Sequence, residues 1–490
     1  MTNNIDLKYN NIIYIFLSLL FVLTVQQFEL FKGNILYLIH AIKGFDENNL
    51  QNDWIANQTD HLPLFTFLNY LLIKIFSKKI LFIIHSILLG ICSYFIFLIC
   101  KNLFPKLKNI NLSIIWFAFF ILIFHENSFF SGVAGHDVIN QGYQPASYGV
   151  LFFLGIYFFL VNKNFLCILF ICLAASFHPT YIIHSAFVCS AIFFYYLYES
   201  KYLECLKLSL LYTLFIFPIF VFIFYNFLLV DKNIVIEGQK ILLNRIPHHA
   251  NIHIWLSYKD SFFILTYLFS LYLIKNNRKF LFFFSVFGFF PIFISFVQFF
   301  LNSNFLALTF PWRSSVVIAP ISSMVIISFF LEKIEIKKIN LGLLSKGFFI
   351  LIFCFFTFKS HYLKNENLDF KDKLDLAQKI KDKNDEIDTV LIPITLEDLR
   401  MNIGVPIFID WKHAPFKYNE VIDWNKRIQL ARNFYNYENF IDKKKGLEEI
   451  QKIEQISHIL IDNKNVNFNC KNLINDKQYS LFRVTNCFID

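Results

Sequence analysis

Residues 80–100 read ILFIIHSILLGICSYFIFLIC and contain no Asp, Glu, Lys or Arg. An apolar stretch of about 20 residues, coiled as an α-helix, matches the hydrocarbon thickness of a bilayer, which is about 30 Å. Similar stretches recur along the 490-residue chain, which is 56% hydrophobic and has a mean hydropathy of +0.50. A water-soluble protein of this size does not need so much apolar surface. We therefore predict an α-helical polytopic membrane protein.

Eleven apolar segments, some of them short, are placed in the membrane on this basis. They lie at residues 12–31, 80–100, 111–125, 146–161, 165–179, 181–198, 207–229, 260–275, 280–300, 311–331 and 343–358. The run 63–76 is a twelfth candidate, but it is only 14 residues long and carries Asn69 and Lys74. Because this is short for a spanning helix, we interpret it as an interfacial or re-entrant helix within the first outer loop, residues 32–79.

The distribution of Lys and Arg predicts the orientation of the chain. With eleven spans and the N-terminus inside, the short basic segments fall on the cytoplasmic side; they include Lys275, Arg278, Lys279, Lys333, Lys337 and Lys338. A count of twelve spans would place Lys101, Lys106 and Lys108 outside. The net charge of +9 therefore reflects membrane topology and does not indicate a nucleic-acid partner.

The composition also indicates the kind of genome that encodes the chain. The 66 Phe residues, with abundant Ile, Asn and Lys, are typical of an AT-rich bacterial genome. We predict a multi-pass protein of the bacterial inner membrane, with a cytoplasmic N-terminus and a periplasmic C-terminus.

The last part of the chain has a different character. We divide the sequence into a transmembrane domain, residues 1–358, and a small extracytoplasmic α/β domain, residues 359–490. In the second part, the helix-like stretch 368–383 precedes strand-like stretches at 389–392, 406–409, 458–462 and 479–484. Such alternation is typical of an α/β fold. A disulfide between Cys470 and Cys487 is a hypothesis, since both lie in this domain.

Acidic residues of the membrane part concentrate in two outer loops. The first loop carries Asp53 and Asp60 beside His61, and the loop after the third span carries His136 and Asp137. Long loops beside a membrane often contain functional residues. The alternative is that these carboxylates only solvate the loops or hydrogen-bond to a nearby turn.

Two further outer stretches are basic. The sequence LLNRIPHHANIHIW contains Arg245, His248 and His249, and FPWRSS places Arg313 at the start of a span. Arg and His form charge-assisted, directional hydrogen bonds that suit a phosphate. Contact with anionic lipid headgroups and extension of the Arg313 side chain to the interface remain alternatives.

The layout of these features resembles the GT-C superfamily of membrane glycosyltransferases. The resemblance covers roughly the first 200 residues and is carried by Asp53, His61-Leu62-Pro63-Leu64-Phe65 and His136-Asp137. Two further stretches are similar to a bacterial family of GT-C-like membrane proteins without a settled activity: Arg245-Ile246-Pro247-His248-His249, and Asp410-Trp411-Lys412 followed by Pro415-Phe416.

The resemblance implies transfer of a sugar from a polyprenyl-phosphate carrier to an acceptor at the outer face, with inversion. The implied base is an acidic residue of the first loop, Asp53, although Asp46 and Glu47 lie in the same loop; Asp137 is the second catalytic candidate. The substrate-binding candidates are His61, His136, Arg245, His248, His249, Arg313 and Lys412. Some members of the superfamily use a divalent metal; the sequence has no zinc signature and leaves the cofactor open.

Two other functions are compatible with the sequence. A transporter or lipid-linked-sugar flippase would bind near the bilayer midplane through ionisable groups or broken helices, and neither is evident. A non-catalytic assembly subunit would dock a partner through the α/β domain, for example at Trp411 and Trp424. Under the enzyme hypothesis, Asp53, Asp137, Arg245, His248 and Arg313 should line one cavity.

Overall fold

The computed structural model describes residues 2–26, 35–45, 50–126, 129–140, 142–250, 252–334, 341–362, 368–383, 387–397, 399–463 and 472–486. Asp46 and Glu47 lie outside these ranges, so they stay predicted alternatives to Asp53. Cys470 and Cys487 also lie outside them, and the disulfide stays a hypothesis.

Helices dominate the chain. They are α1 Thr2–Val25, α2 Ile39–Ile42, α3 Pro63–Phe76, α4 Ile80–Leu103, α5 Ile110–Glu126, α6 Leu151–Leu160, α7 Asn164–Phe177, α8 Tyr181–Tyr198, α9 Tyr202–Ile223, α10 Lys232–Arg245, α11 Pro247–Ala250, α12 Ile252–Trp255, α13 Tyr258–Leu273, α14 Arg278–Leu301, α15 Asn304–Leu308, α16 Ser315–Lys333, α17 Leu341–His361, α18 Leu368–Lys381, α19 Leu399–Ile403, α20 Tyr418–Asn436 and α21 Phe440–Gln451. The strands are β1 Val390–Leu391, β2 His458–Asp462, β3 Asn472–Asn475 and β4 Tyr479–Arg483.

Contacts divide the chain into two compact units. The first, here called the helical unit, comprises Met1–Phe28, Phe76–Ile223 and Leu243–Lys364. The second, here called the α/β unit, comprises Glu29–Ile75, Phe224–Leu242 and Asn365–Asp490. The sequence-based division kept residues 32–79 in the transmembrane domain; the contacts group residues 29–75 with the C-terminal part instead.

Six helical segments in the described residues are long and apolar enough to cross a membrane. They are Ile80–Leu103, Tyr181–Tyr198, Tyr202–Phe227, Arg278–Leu301, Asn304–Lys333 and Gly342–His361. Shorter apolar helices lie at Asn10–Val25, Pro63–Phe76, Ile110–Glu126, Pro145–Leu160, Asn164–Phe177 and Asp260–Leu273. Helices suit this environment because they satisfy their backbone hydrogen bonds internally. The prediction of a helical membrane protein is therefore confirmed at this level.

Two lysines of the helical unit form hydrogen bonds that connect helix ends distant in sequence. The backbone N–H of Lys106, between α4 and α5, donates to Glu332 Oε2 at 3.0 Å near the end of α16. Lys279 Nζ, at the start of α14, donates to Asn162 Oδ1 at 2.7 Å in the turn between α6 and α7. Each contact joins two turns that the predicted topology places on the cytoplasmic side.

The α/β unit contains a four-stranded mixed sheet with strand order β1-β2-β4-β3. Strand β1 pairs with β2 in parallel, from Val390 opposite His458, whereas β4 is antiparallel to both of its neighbours. The strand predictions at 389–392, 458–462 and 479–484 are confirmed. Strand β3 was not predicted, because NLIN has only two apolar residues.

Side-chain alternation gives this sheet two apolar faces. Leu391, Ile459 and Phe482 belong to one core, with residues of α20 and α21. Val390, Leu460, Leu481 and residues of α18 and α19 form the other. Adjacent residues of a strand point to opposite faces, so three short strands supply both cores. Trp54, from the first predicted outer loop, packs against the core on the α20 side.

The predicted strand at 406–409 is only a single bridge, between Val390 and Ile407. The backbone N–H of Phe408 donates to Val390 O at 3.0 Å, whereas the N–H of Ile407 donates to Asp53 Oδ2, also at 3.0 Å. Asp53 therefore occupies a backbone donor that a further strand would use. A side chain that covers such an edge blocks additional pairing.

Candidate functional site

The loop before α6 is held against the start of α16 by backbone and side-chain contacts. Val133 N–H donates to Ser315 Oγ at 2.8 Å, and a Cβ added to Gly132 would lie 2.7 Å from Val316 N. Only glycine permits this approach without a shift of one segment. Ala134, next in the loop, has a φ of +57°, a conformation uncommon for a non-glycine residue. This close packing fixes the position of His136.

His136 meets His249 in the helical unit. His136 Nε2 and His249 Nδ1 lie 2.7 Å apart, so one ring donates and the other accepts. Trp312 Nε1 donates to His249 O at 3.1 Å, and its ring lies 5.0 Å from that of His136. The ring of the exposed His248 lies 3.9 Å from that of His249. Two predicted motifs, more than 100 residues apart, are thus brought together.

Arg313 lies near these histidines, since its positive charge acts on both His136 and His249. Its Nη1 donates to Thr180 Oγ1 at 3.2 Å, and its guanidinium lies 5.4 Å from the Phe310 ring centroid. Within the described part of the chain, Arg313 has no carboxylate partner. Phe310 has a φ of +47°, and strained backbone of this kind clusters at functional sites. We call Arg313, His136, His248 and His249 the Arg–His cluster.

The electrostatics of the cluster keep its inner histidines neutral. Burial, then the positive charge of Arg313, lowers the pKa of His136 to about 2. Burial, then the charges of His248 and Arg313, lowers the pKa of His249 to about 3. A smaller contribution from Arg245 to the second shift places that residue near the cluster as well. An anion bound here would act against these shifts, because a negative charge favours the charged imidazole.

Two carboxylates lie in the same part of the helical unit. Asp137 Oδ1 accepts a hydrogen bond from Ser131 Oγ at 2.5 Å. Asp260, which was not singled out from the sequence, is buried and caps α13 by accepting from Ser257 N and Ser257 Oγ, both at 2.7 Å. It also accepts from Ala134 N at 3.2 Å. Asp260 therefore ties the His136 loop to α13.

Asp53 lies in the α/β unit, in a buried network. Arg400 donates from Nη1 to Asp53 and from Nη2 to Asp410 Oδ2 at 2.8 Å. All three side chains have 0% exposure. Asp53 also accepts from Ala56 N at 3.1 Å and from Ile407 N. This geometry gives Asp53 a structural role, because its oxygens are enclosed and hydrogen-bonded.

The network continues to His413. Asp410 Oδ1 accepts from His413 Nδ1 at 2.7 Å and from the backbone N–H of His413 at 2.8 Å. Burial favours the neutral form of Asp410, but the charges of His413 and Arg400 outweigh it and hold its pKa well below the usual range. His413 is 3% exposed, and its Nε2 has no hydrogen-bond partner among the described residues.

Two other predicted residues of the α/β unit lie close by. His61 and His413 line one pocket, together with His40 and Asp60. Burial, then the charge of His40, lowers the pKa of His61 to about 3. Lys412 is half-buried, and its backbone N–H donates to Asp410 Oδ1 at 3.0 Å.

Sequence reasoning missed Arg400 and the role of its partners. Arg400 lies in a five-residue helix with no recognisable motif, so no local signal distinguished it from a surface residue. The run Asp410-Trp411-Lys412 was noticed as part of a resemblance, without the contact to Arg400. Among the described residues, no group of three or more His, Cys, Asp or Glu is arranged to hold a metal ion.

Comparison with known proteins bears on the α/β unit. A domain of unknown function, DUF6798, matches residues 371–431. No curated protein matches the chain. The matched residues include Arg400, Asp410 and His413, so the buried charge network and one wall of the pocket lie in a segment that is similar to this domain.

Proposed function

We propose that the protein is a membrane glycosyltransferase of the GT-C type, which takes a sugar from a polyprenyl-phosphate donor at the periplasmic face of the bacterial inner membrane. The observation that carries the proposal is the Arg–His cluster. It combines a guanidinium that has no carboxylate partner among the described residues with imidazoles that can donate N–H hydrogen bonds. Such donors form strong hydrogen bonds to phosphate oxygens.

The same donors would assist the reaction. As the sugar leaves the carrier, negative charge grows on the phosphate, and fixed donors beside it lower the barrier. Arg313 supplies a permanent charge, whereas His136, His248 and His249 can supply N–H donors. Arg245 would add long-range attraction for the anionic carrier.

A base is needed for the acceptor hydroxyl. We assign this role to Asp137, because it follows His136 directly in the loop that Ser315 and Asp260 hold in place. The acceptor oxygen would bond to the anomeric carbon as the carbon–phosphate oxygen bond breaks, and the hydroxyl proton would pass to the Asp137 carboxylate. Asp53, the first candidate from the sequence, is engaged by Arg400 and by backbone N–H groups.

The membrane topology is part of the proposal. Six long helices and five of the shorter ones correspond to the eleven predicted spans. The remaining helix, α3, belongs almost entirely to the α/β unit. Its Phe67 and Ile75 are 59% and 67% exposed, which suits a helix lying at a lipid interface. We propose eleven crossings, with α3 at the outer surface.

The test is sugar transfer by the purified full-length chain in liposomes. A panel of polyprenyl-phosphate hexoses serves as donor, and release of free polyprenyl phosphate is measured, because this product is common to every acceptor. We expect release by the wild type and a loss of about 100-fold or more in Asp137→Asn.

Arg278→Gln provides the matched control for Arg313→Gln. Arg278 begins α14, outside the cluster, so its variant should retain wild-type turnover while Arg313→Gln loses most of it. Failure of the wild type to release polyprenyl phosphate from any donor would overturn the proposal. Movement of intact donor across the liposome bilayer without release would support a flippase in its place.

A further inference from the structure

A polar side chain lies buried near the end of α14. Gln298 is 5% exposed, in a helix composed largely of Phe and other apolar residues. The same segment, Arg278–Leu301, is one of the six described helical segments that are long and apolar enough to cross a membrane. A polar residue in such a segment is costly, and it usually faces a partner or a functional site.

The partner of Gln298 is the short helix α11, which carries two histidines of the Arg–His cluster. Gln298 Nε2 donates to Ala250 O at 2.9 Å, and Ala250 ends α11 directly after His249. A carbonyl oxygen can only accept, so this contact also fixes the direction of the Gln298 amide. Trp312 Nε1 donates to His249 O. Each of the last two carbonyl groups of α11 therefore accepts from a side chain of another segment.

Helix α11 depends on such contacts because it is only four residues long. Its His249 and Ala250 N–H groups both donate to Ile246 O, at 3.0 and 3.1 Å, and this single turn is too short to be stable in isolation. The last carbonyl groups of a helix have no partner within the helix itself. Hydrogen bonds from other segments to these groups therefore fix the position of α11.

Ala250 lies where the three segments of the cluster meet. Its side chain is 0% exposed and belongs to one apolar core with Val133 and Phe310. Val133 lies three residues before His136, and Phe310 lies three residues before Arg313. A hydrogen bond that holds Ala250 therefore acts at the junction of all three segments.

We infer that Gln298 is a positioning residue of the proposed transferase site, an inference that rests on the proposed function for its ligand. By holding the end of α11, Gln298 fixes the His249 ring beside His136, where it can donate to the phosphate of the carrier. Gln298 acts through the backbone of α11 and does not itself contact the carrier.

The first test is hydrogen–deuterium exchange of the full-length chain in nanodiscs, which needs no carrier. Gln298→Met keeps the length of the side chain and removes the donor. Exchange of the His249 and Ala250 amides should accelerate about fivefold, the change expected for the loss of one neutral hydrogen bond. The matched control is Ser295→Ala, which alters a buried hydroxyl of α14 without a hydrogen-bond partner among the described residues. Its exchange should equal that of the wild type.

The second test is the affinity for polyprenyl phosphate. Gln298→Met should weaken binding about tenfold, the contribution of one hydrogen bond to a charged group, whereas Ser295→Ala should bind as the wild type does. In a His249→Phe background, Gln298→Met should change the Kd by less than about twofold, because the donor that it positions is already absent. A tenfold loss in both backgrounds would show an effect that does not pass through His249, and it would overturn the inference.

The two tests distinguish a failure of this inference from a failure of the transferase proposal. Unchanged exchange at α11 in Gln298→Met, or faster exchange spread equally along α14, would overturn the positioning role whether or not sugar transfer is observed. Faster exchange confined to α11, in a protein that releases polyprenyl phosphate from no donor, would support the positioning of α11 by Gln298 and overturn the transferase.

Discussion

Two arginines of this protein differ in what neutralises them. Arg400 is fully buried and lies between Asp53 and Asp410, an arrangement that offsets the cost of removing its charge from water. Arg313 is only partly buried and has no such partner in the described residues; its hydrogen bond goes to the neutral Thr180. The first therefore serves the fold, and the second is available to an anionic ligand.

The role of Asp53 can be separated from catalysis by substitution. Asp53→Asn should lower the free energy of unfolding by about 3 kcal/mol, because it leaves part of the Arg400 charge uncompensated in the interior. Asp423→Asn is the matched control, since that carboxylate is 47% exposed and lies 3.7 Å from Arg427; it should cost less than about 1 kcal/mol. Thermal unfolding measures both. An unchanged midpoint in Asp53→Asn with abolished turnover would restore Asp53 as the base.

The inner histidines predict a pH dependence of stability. Free histidine titrates near pH 6.5, whereas the folded protein keeps the pKa of His136 at about 2 and that of His249 at about 3. Between these values the unfolded chain binds more protons, so stability is retained above pH 6.5 and falls as the pH decreases below it. The unfolding midpoint should fall less between pH 7 and pH 5 in His136→Gln than in the wild type. The exposed His361 supplies the control variant, His361→Gln, which should behave as the wild type does. An equal decrease in the unfolding midpoint between pH 7 and pH 5 in all three proteins would refute the assignment.

At the scale of elements, hydrophobic runs predicted the helices well. An apolar helix lies at each of the eleven predicted positions, because a run of apolar residues is a local signal. The contact of Asp53 with Ile407 was beyond reach, since it joins residues that are more than 100 positions apart. The approach of the His136 loop to the stretch at His249 was expected under the enzyme hypothesis, which wrongly grouped Asp53 with them. The sheet was predicted in part: strong strands such as 458–462 were found, whereas NLIN carries no clear alternation.

Gly132 tests whether the fixed loop matters for binding. Gly132→Ala places a Cβ 2.7 Å from Val316 N, so the loop that carries His136 must shift from the start of α16. A shift of about 1 Å in a positioned group can reduce its effect tenfold or more. We therefore expect the affinity for polyprenyl phosphate to fall by about tenfold. Gly347→Ala, whose Cβ meets nothing within 4 Å, should bind as the wild type does. Unchanged affinity in Gly132→Ala would show that the loop is not part of the site.

At the scale of the whole molecule, the predicted orientation places the turn at Lys106 in the cytoplasm and the C-terminus in the periplasm. Green fluorescent protein fused after Lys106 should fluoresce, and alkaline phosphatase fused after Asp490 should be active. The reverse pattern would invert the topology and place the Arg–His cluster on the wrong face for the proposed donor. This reverse pattern would be alkaline phosphatase activity in the fusion after Lys106 and fluorescence in the fusion after Asp490.

The most direct measurement is the affinity of the purified chain for polyprenyl phosphate, compared between the wild type, Arg313→Gln and Arg278→Gln. Hydrogen bonds from a charged group contribute about 1.5–3 kcal/mol each, and about 1.4 kcal/mol corresponds to a tenfold change in Kd. The Arg–His cluster therefore predicts that Arg313→Gln weakens binding by about 10- to 100-fold while Arg278→Gln leaves it unchanged. Equal affinities in all three proteins would contradict it.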